Sequence, residues 1–253
     1  MSGHVLGELT TEDVAAADFR LAIVPVGAVE QHGPHLAVLT DARIAERFAG
    51  LLAERLDGTA LLCPLLPYGL SEHHAAFAGT VTLRPATFIS LVGDIIDSLA
   101  AQGFDKVVLV NGHGGNMEAL SLVARDQRAR NGVRVGSLMW ARLAHDVCAE
   151  GTAGSAYGHA CENETSLAMV LAPELLRPDR VRAPVGARID VLHAMPPRAL
   201  VDTAYSFDEL TPDGVWGDPR SASTERGERI LATALERAEE YCRALAKEPP
   251  ARR

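Results

Sequence analysis

The sequence predicts an α/β fold, a three-layer α/β/α sandwich built on a mostly parallel sheet. Strand-like runs of apolar and β-branched residues alternate with segments of helical periodicity, which is the pattern of successive βαβ units. The runs are also continuous rather than alternating, as in VVLV at 107–110, which suits strands covered by helices on both faces. Finally, 253 residues with 47% hydrophobic and 23% charged side chains can bury a sizeable core. That composition excludes a disordered or collagen-like chain. No internal repeat or low-complexity tract divides the sequence, so residues 1–247 are expected to form one domain.

Taken in order, the N-terminal MSGHVLGELTTEDVAAADF is acidic and helix-starting, with Thr11 as cap, and lacks the basic start and apolar run of a signal peptide. Strands are expected at Leu21–Val26, 60–63, 107–110 and 133–138, with helices at 42–56, 86–101 and 117–130 between and after them. Residues 164–172 read as a helix stopped by Pro173, and Thr224–Lys247 as a long charged amphipathic helix. Between these two, 179–219 is rich in Pro, Asp and Gly and reads as a linker or a site-covering loop. The tail 248–253, with Pro249 and Pro250, is expected to be disordered.

Charge and cysteines narrow the function classes. Twenty-four Lys and Arg against thirty-three Asp and Glu leave a net charge of −9, which offers no field for phosphate backbones and argues against a nucleic-acid partner. Cys63, Cys148, Cys161 and Cys242 are spaced neither as a zinc pair nor as a secreted disulfide scaffold, and fit a reducing cytoplasm. No stretch reaches the ~18 apolar residues of a membrane span.

Three polar clusters lie where such a fold holds ligands. The first, GAVEQHGPHL at 27–36 with Thr40 and Asp41, follows the first strand. In extended geometry Glu30 and His32 share a face, and Asp41 opens the next helix. Either this is a polar loop with a helix cap at Thr40 and Asp41, or it is a set of metal donors suited to Zn, Mn or Fe. The second, NGHGGN at 111–116, follows a buried strand and places His113 in the same crevice. It is neither G-x-G-x-x-G nor G-x-x-x-x-G-K-[ST], so a phosphate loop is disfavoured.

The third cluster, HACENETS at 159–166, opens a predicted helix. There His159 and Glu162 share a face at i and i+3, one to ligate and one to handle protons. The competing account is acidic side chains complementing a helix dipole. Together Glu30, His32, Asp41, His113 and Glu162 supply enough donors for two divalent ions with one bridging carboxylate. Such a pair would activate water for attack on a carbonyl.

These motifs, E-x-H-G-x-H-L-x-x-x-T-D at 30–41, NGHGGN at 111–116 and H-A-x-E-x-E-T-S at 159–166, resemble the creatininase (creatinine amidohydrolase) family. Glu72, His73 and His74 with Phe77 to Thr80 are similar to its E-H-x-x-F-x-G-T segment with one residue more. Residues 214–222 are similar to its closing G-x-x-G-D-P-x-x-A. The resemblance implies a creatininase-like fold and amide hydrolysis at a dinuclear centre of two divalent ions. Zn is the first choice, with Mn and Fe the other candidates. It implies Glu30, His32, Asp41, His113 and Glu162 as ligands, with Asp41 the bridge. His159 would handle protons, and Glu164 would orient a ligand or His159. It further implies a small-molecule amide substrate and a homo-oligomer, a hexamer built from dimers. A peptidase trimming a short modified peptide, as in the similar mycofactocin-precursor peptidases, is the alternative within the fold. A non-catalytic metal- or metabolite-binding protein is the alternative outside it.

Three departures bear on substrate. Creatinine-specific members carry a glutamate in the loop where this chain has Gly115, and the missing carboxylate is expected from Glu162. They also carry a tryptophan where this chain has Ser155, Ala156 and Tyr157, so Tyr157 would line the pocket. Ala37 stands where many members have proline. Glu72 and His73 are either pocket residues or an ordinary hydrogen-bonded strand start. His74, His145 and His193 are expected at the surface or in packing, His35 as a loop-fixing group and Trp140 in the core. Trp216 and Asp218 are candidates for a lid or a subunit contact.

Overall fold

The computed structural model describes residues 4–150, 158–186 and 204–250. Its centre is a parallel sheet of β1 (Leu21–Val26), β2 (Ala60–Leu62), β3 (Lys106–Asn111) and β4 (Arg134–Met139), in the spatial order β2-β1-β3-β4. Ala22 of β1 stands opposite Val107 of β3, and Leu21 opposite Ala60 of β2.

The helices are α1 (Thr11–Ala16), α2 (Thr40–Arg55), α3 (Pro85–Ala101), α4 (Met117–Asn131), α5 (Trp140–Leu143), α6 (His145–Ala149), α7 (Glu162–Leu171), α8 (Phe207–Leu210) and α9 (Thr224–Lys247). They form the outer layers, as expected. Among the described residues no helix is long and apolar enough to cross a membrane.

Every residue of β1 is buried, and successive side chains serve opposite layers. Leu21 and Ile23 pack with Ile44, Phe48 and Leu52 of α2, Leu167 of α7 and Ile230 of α9. Ala22, Val24 and Val26 pack with Phe88, Val92 and Ile96 of α3 and with Leu120 and Val123 of α4. This two-sided burial is why the strand reads as an uninterrupted apolar run.

Several boundaries differ from the sequence reading for local reasons. The cap of α1 is Thr10, which accepts from the Asp13 amide in a capping box, so Thr11 is the first helical residue. Helix α7 starts at Glu162, two residues earlier than expected. The apolar run of β4 leads directly into α5 and α6, which its periodicity hides. Within 179–219, α8 packs against the short helical turn Glu72–His74, while 187–203 lie outside the described residues. Of the tail, Glu248 and Pro249 are tied to Arg134, which reaches the Glu248 carboxylate at 3.0 Å and also the Pro249 carbonyl.

The strand order fixes where a ligand can enter. From β1 the chain crosses to β2 on one side, while β3 and β4 lie on the other. The loops leaving β1 and β3 therefore diverge at their C-terminal ends and open a crevice between them.

Candidate metal centre

The loop after β1 carries Glu30 and His32 into this crevice with both side chains fully buried. Helix α2 then begins with Leu39 as N-cap and no side-chain cap bond. Asp41 is therefore not spent on capping and turns inward. Gly112, where β3 ends, makes this approach possible, because a Cβ there would lie 3.0 Å from the Asp41 carbonyl carbon and closer still to its oxygen. The asparagines of NGHGGN set the next loop. Asn111 donates to the His113 carbonyl at 2.6 Å and accepts from its amide at 3.2 Å. Asn116 accepts from the Leu70 amide at 2.9 Å and donates to the Gly27 carbonyl at 3.0 Å.

Among the described residues the donors meet in four overlapping groups, Glu30 with His32 and His159, Glu30 with His73 and His74, and two that share Asp41. In one, His113 Nδ1 lies 3.1 Å from Glu30 Oε1 and 3.2 Å from Asp41 Oδ2. In the other, His32 Nε2 lies 3.0 Å from Asp41 Oδ1 and 3.6 Å from Glu164 Oε1. Ligand atoms about 2.1 Å from a common tetrahedral ion stand about 3.4 Å apart, so these separations suit shared ions. Each ligating nitrogen is fixed by the opposite side of its ring. His32 Nδ1 donates to the Glu30 carbonyl at 3.1 Å, and His113 Nε2 donates to the Leu70 carbonyl at 2.8 Å. The remaining nitrogen of each therefore faces the carboxylates.

His159 follows the same rule. Its Nε2 donates to the Gln31 carbonyl at 2.7 Å, and its Nδ1 faces Glu30 Oε1 at 3.7 Å. Its backbone is held by reciprocal bonds with Trp216, at 2.9 and 2.8 Å. Ala160 next to it takes a left-handed φ of 51°, with its amide donating to Glu164 Oε2 at 2.7 Å.

The electrostatics suit a site for cations. Glu30 Oε2 is buried without a hydrogen-bond partner, and Glu30 Oε1 and Asp41 Oδ2 have only the His113 imidazole, at 3.1 and 3.2 Å, beside them, a costly state for carboxylates unless a positive charge joins them. Burial disfavours charge on His32, yet Asp41 and Glu164 overcome it and raise its pKa well above the usual histidine value. Burial likewise opposes charge on His113, and Glu30 and Asp41 overcome it. Burial raises Asp41, but His32 and His113 hold it well below the carboxylate range. Protons on these imidazoles are thus drawn to the positions that divalent ions would fill, and ion uptake would displace them.

The two carboxylates of the third motif separate. Glu164 joins His32 and Asp41 in a donor group, whereas Glu162 accepts from the Ser221 hydroxyl at the closing loop. The residue expected to orient a ligand stands among the donors, and the expected ligand anchors the loop. Gly115 explains why no carboxylate comes from NGHGGN. A Cβ there would lie 2.5 Å from the Leu70 carbonyl oxygen and 2.7 Å from His73 Cε1, so a glutamate has no room.

The centre opens into a cavity of about 620 Å³. Glu72, exposed, and His73, half-buried, line it. Burial and the neighbouring His113 lower the His73 pKa to about 4. Tyr157 and His193 lie outside the described residues, and His145 is exposed. His35 is a buried loop-fixing group, bonded through Nε2 to Thr165 Oγ1 at 3.0 Å.

Two buried residues bear on the site. His74, expected at the surface or in packing, is buried against Glu30. Trp140 lies in the core as expected and also lines the cavity, with its Nε1 buried and without a partner.

The Creatininase family model, described as creatinine amidohydrolase, matches residues 7–242. The chain belongs to the creatininase family of amidohydrolases. A mycofactocin precursor peptide peptidase of Mycobacterium ulcerans is 35% identical over 243 residues, covering 92% of this chain and 89% of that protein. A creatinine amidohydrolase of Pseudomonas putida is 33% identical over 253 residues, covering 91% and 93%. Among solved structures, a mutant creatininase of zinc–zinc type superposes with a TM-score of 0.79 at 30% identity, over 96% of this chain and 98% of that one.

Proposed function

We propose that this creatininase-family protein is a dinuclear-metal amidohydrolase in which Glu30, Asp41 and His113 hold one divalent ion and His32, Asp41 and Glu164 hold the other. The observation that carries this reading is the convergence of five buried donors in two groups with Asp41 common to both. Three carboxylates and two imidazoles suit Zn first, with Mn and Fe as alternatives. On distance, Glu164 is the better fifth ligand and Glu162 the brace for the closing loop. The ions would supply Lewis acidity toward a carbonyl oxygen and lower the pKa of water.

The chain's own residues divide the remaining work. His159, with its Nε2 proton committed to Gln31, presents Nδ1 to the centre, where it takes a proton from the attacking water and returns it to the leaving nitrogen. In the metal-free chain burial and the neighbouring His32 hold its pKa down at about 3, which leaves the Nδ1 lone pair free at neutral pH. A protein that only binds metal has no use for a histidine aimed in this way.

The cavity volume falls in the range of sites for drug-sized molecules, and Met117, Met139, Trp140, Phe207 and Leu210 give it an apolar side. That supports a small-molecule amide larger than creatinine, held by contacts a flat ring does not need. The peptidase resemblance favours a second reading, in which a short peptide end occupies the same cavity. Both predict C–N hydrolysis by the metal-loaded protein. A mass-spectrometric hydrolysis screen over creatinine, lactams, hydantoins, formamides and short peptides separates them. Turnover confined to peptides supports the second reading, and no C–N cleavage in any class by the fully loaded protein contradicts both.

A further inference from the structure

His74 lies 1% exposed behind the centre, with its ring 4.3 Å from that of His159 and 4.0 Å from that of Phe207. Its Nε2 is 3.4 Å from Glu30 Oε1, and with His73 and Glu30 it forms a set that could itself hold an ion. Whether His74 ligates or positions depends on which of its nitrogens bears the proton.

Gln31 decides that. The amide orientation of Gln31 is fixed by two backbone groups of single polarity. The Gly33 N–H can only donate, and it meets Oε1 at 2.9 Å. The Gly214 carbonyl can only accept, and it meets Nε2 at 3.1 Å. The second hydrogen of Nε2 therefore points at His74 Nδ1, 2.8 Å away. That nitrogen accepts, so a neutral His74 carries its proton on Nε2, facing Glu30.

We propose that His74 is a positioning residue rather than a metal ligand. Gln31 locks it as the Nε2–H tautomer, and it donates to Glu30 Oε1, fixing the direction of that carboxylate. The 3.4 Å contact is longer than a finished hydrogen bond, and it would have to shorten for the donation to be complete. Gln31 thereby sets two rings of opposite use. Its carbonyl leaves His159 a lone pair toward the centre, and its side chain leaves His74 a proton toward the centre. This inference rests on the dinuclear reading above.

The direct test is nitrogen-15 NMR of the histidine-labelled full chain, metal-free and zinc-loaded, with the His74 signals assigned from H74Q. Protonated Nε2 and bare Nδ1 are expected in both forms, and a proton on Nδ1 overturns the proposal. The second measurement is zinc affinity by chelator competition. H74Q keeps an amide donor toward Glu30 and should stay within about threefold of wild type. H74L removes the donor and should lose about 10–100-fold while still loading fully at saturating zinc, as for other groups that orient a ligand. Unchanged affinity in H74L overturns the positioning role. Loss of a whole ion at saturation, with one nitrogen ligand missing from the zinc absorption spectrum, makes His74 a ligand and also overturns it. The NMR result needs no variant to bind metal. A wild-type chain that takes up no ion overturns the centre itself, whereas a wrong tautomer in a metal-binding chain overturns the role of His74 alone.

Discussion

Substituting Glu164 and Glu162 separately by glutamine distinguishes the two carboxylates of α7. Glutamine keeps the shape of glutamate and can still accept from the Ala160 amide, so Glu164→Gln removes a charged ligand without opening a cavity. Losing a group that only orients a ligand costs 10–100-fold in metal affinity. A ligand itself should cost at least the upper figure, ~100-fold or about 2.7 kcal/mol, and for one of the two ions only. Glu162→Gln leaves an amide opposite the Ser221 hydroxyl. It should change affinity by less than about threefold, and its cost in folding stability should be about 1 kcal/mol. Competition titration with a chromophoric chelator reads the affinities, and chemical denaturation reads the stability. If Glu162→Gln lost the ion and Glu164→Gln kept it, the donor assignment drawn from the 3.6 Å contact with His32 would be refuted.

Three further outcomes follow from the same geometry. His159→Gln should keep its metal and lose roughly 10²–10⁴-fold in turnover. In the metal-free chain, where burial and the neighbouring His32 hold the His159 pKa down at about 3, the imidazole should stay unprotonated above about pH 4 and take up a proton only as pH falls through that value. A His159 nitrogen-15 titration near pH 6.5 in the metal-free chain would contradict this. Creatinine should be turned over at least ~100-fold less efficiently in kcat/KM than the best amide found, and efficient turnover with Zn, Mn or Fe would refute it. Sedimentation at micromolar concentration should show an assembly larger than one chain of 26.9 kDa, and a single species of that mass would contradict the expected homo-oligomer.

What was legible in the sequence follows from what periodicity can encode. Strands β1 and β3 are buried on both faces, so their apolar runs are continuous and place the sheet directly. The motifs at their C-terminal ends located the crevice because parallel strands expose those ends on one edge. Which of Glu162 and Glu164 stands beside His32 and Asp41 was not legible. Two positions along a helix is a rotation of about 200°, so the residue that meets them depends on where the helix starts. That start is set by Cys161 as N-cap and by the left-handed Ala160, which no propensity announces. His74 was hidden for a related reason. Its burial comes from α8 and Phe207, more than 130 residues away, folding onto the short helix that carries it. Helices α5 and α6 were missed because β4 runs into Trp140 without a break in hydrophobicity.

Metal stoichiometry of the wild type against Asp41→Asn, by elemental analysis after dialysis at a fixed free zinc concentration, tests the central claim most directly. Asp41 presents one oxygen to His32 and the other to His113, so the account predicts two ions per wild-type chain and loss of both from the variant, with the fold retained by circular dichroism. One ion or none in the wild type, or a full load in Asp41→Asn, would contradict a dinuclear centre shared through Asp41.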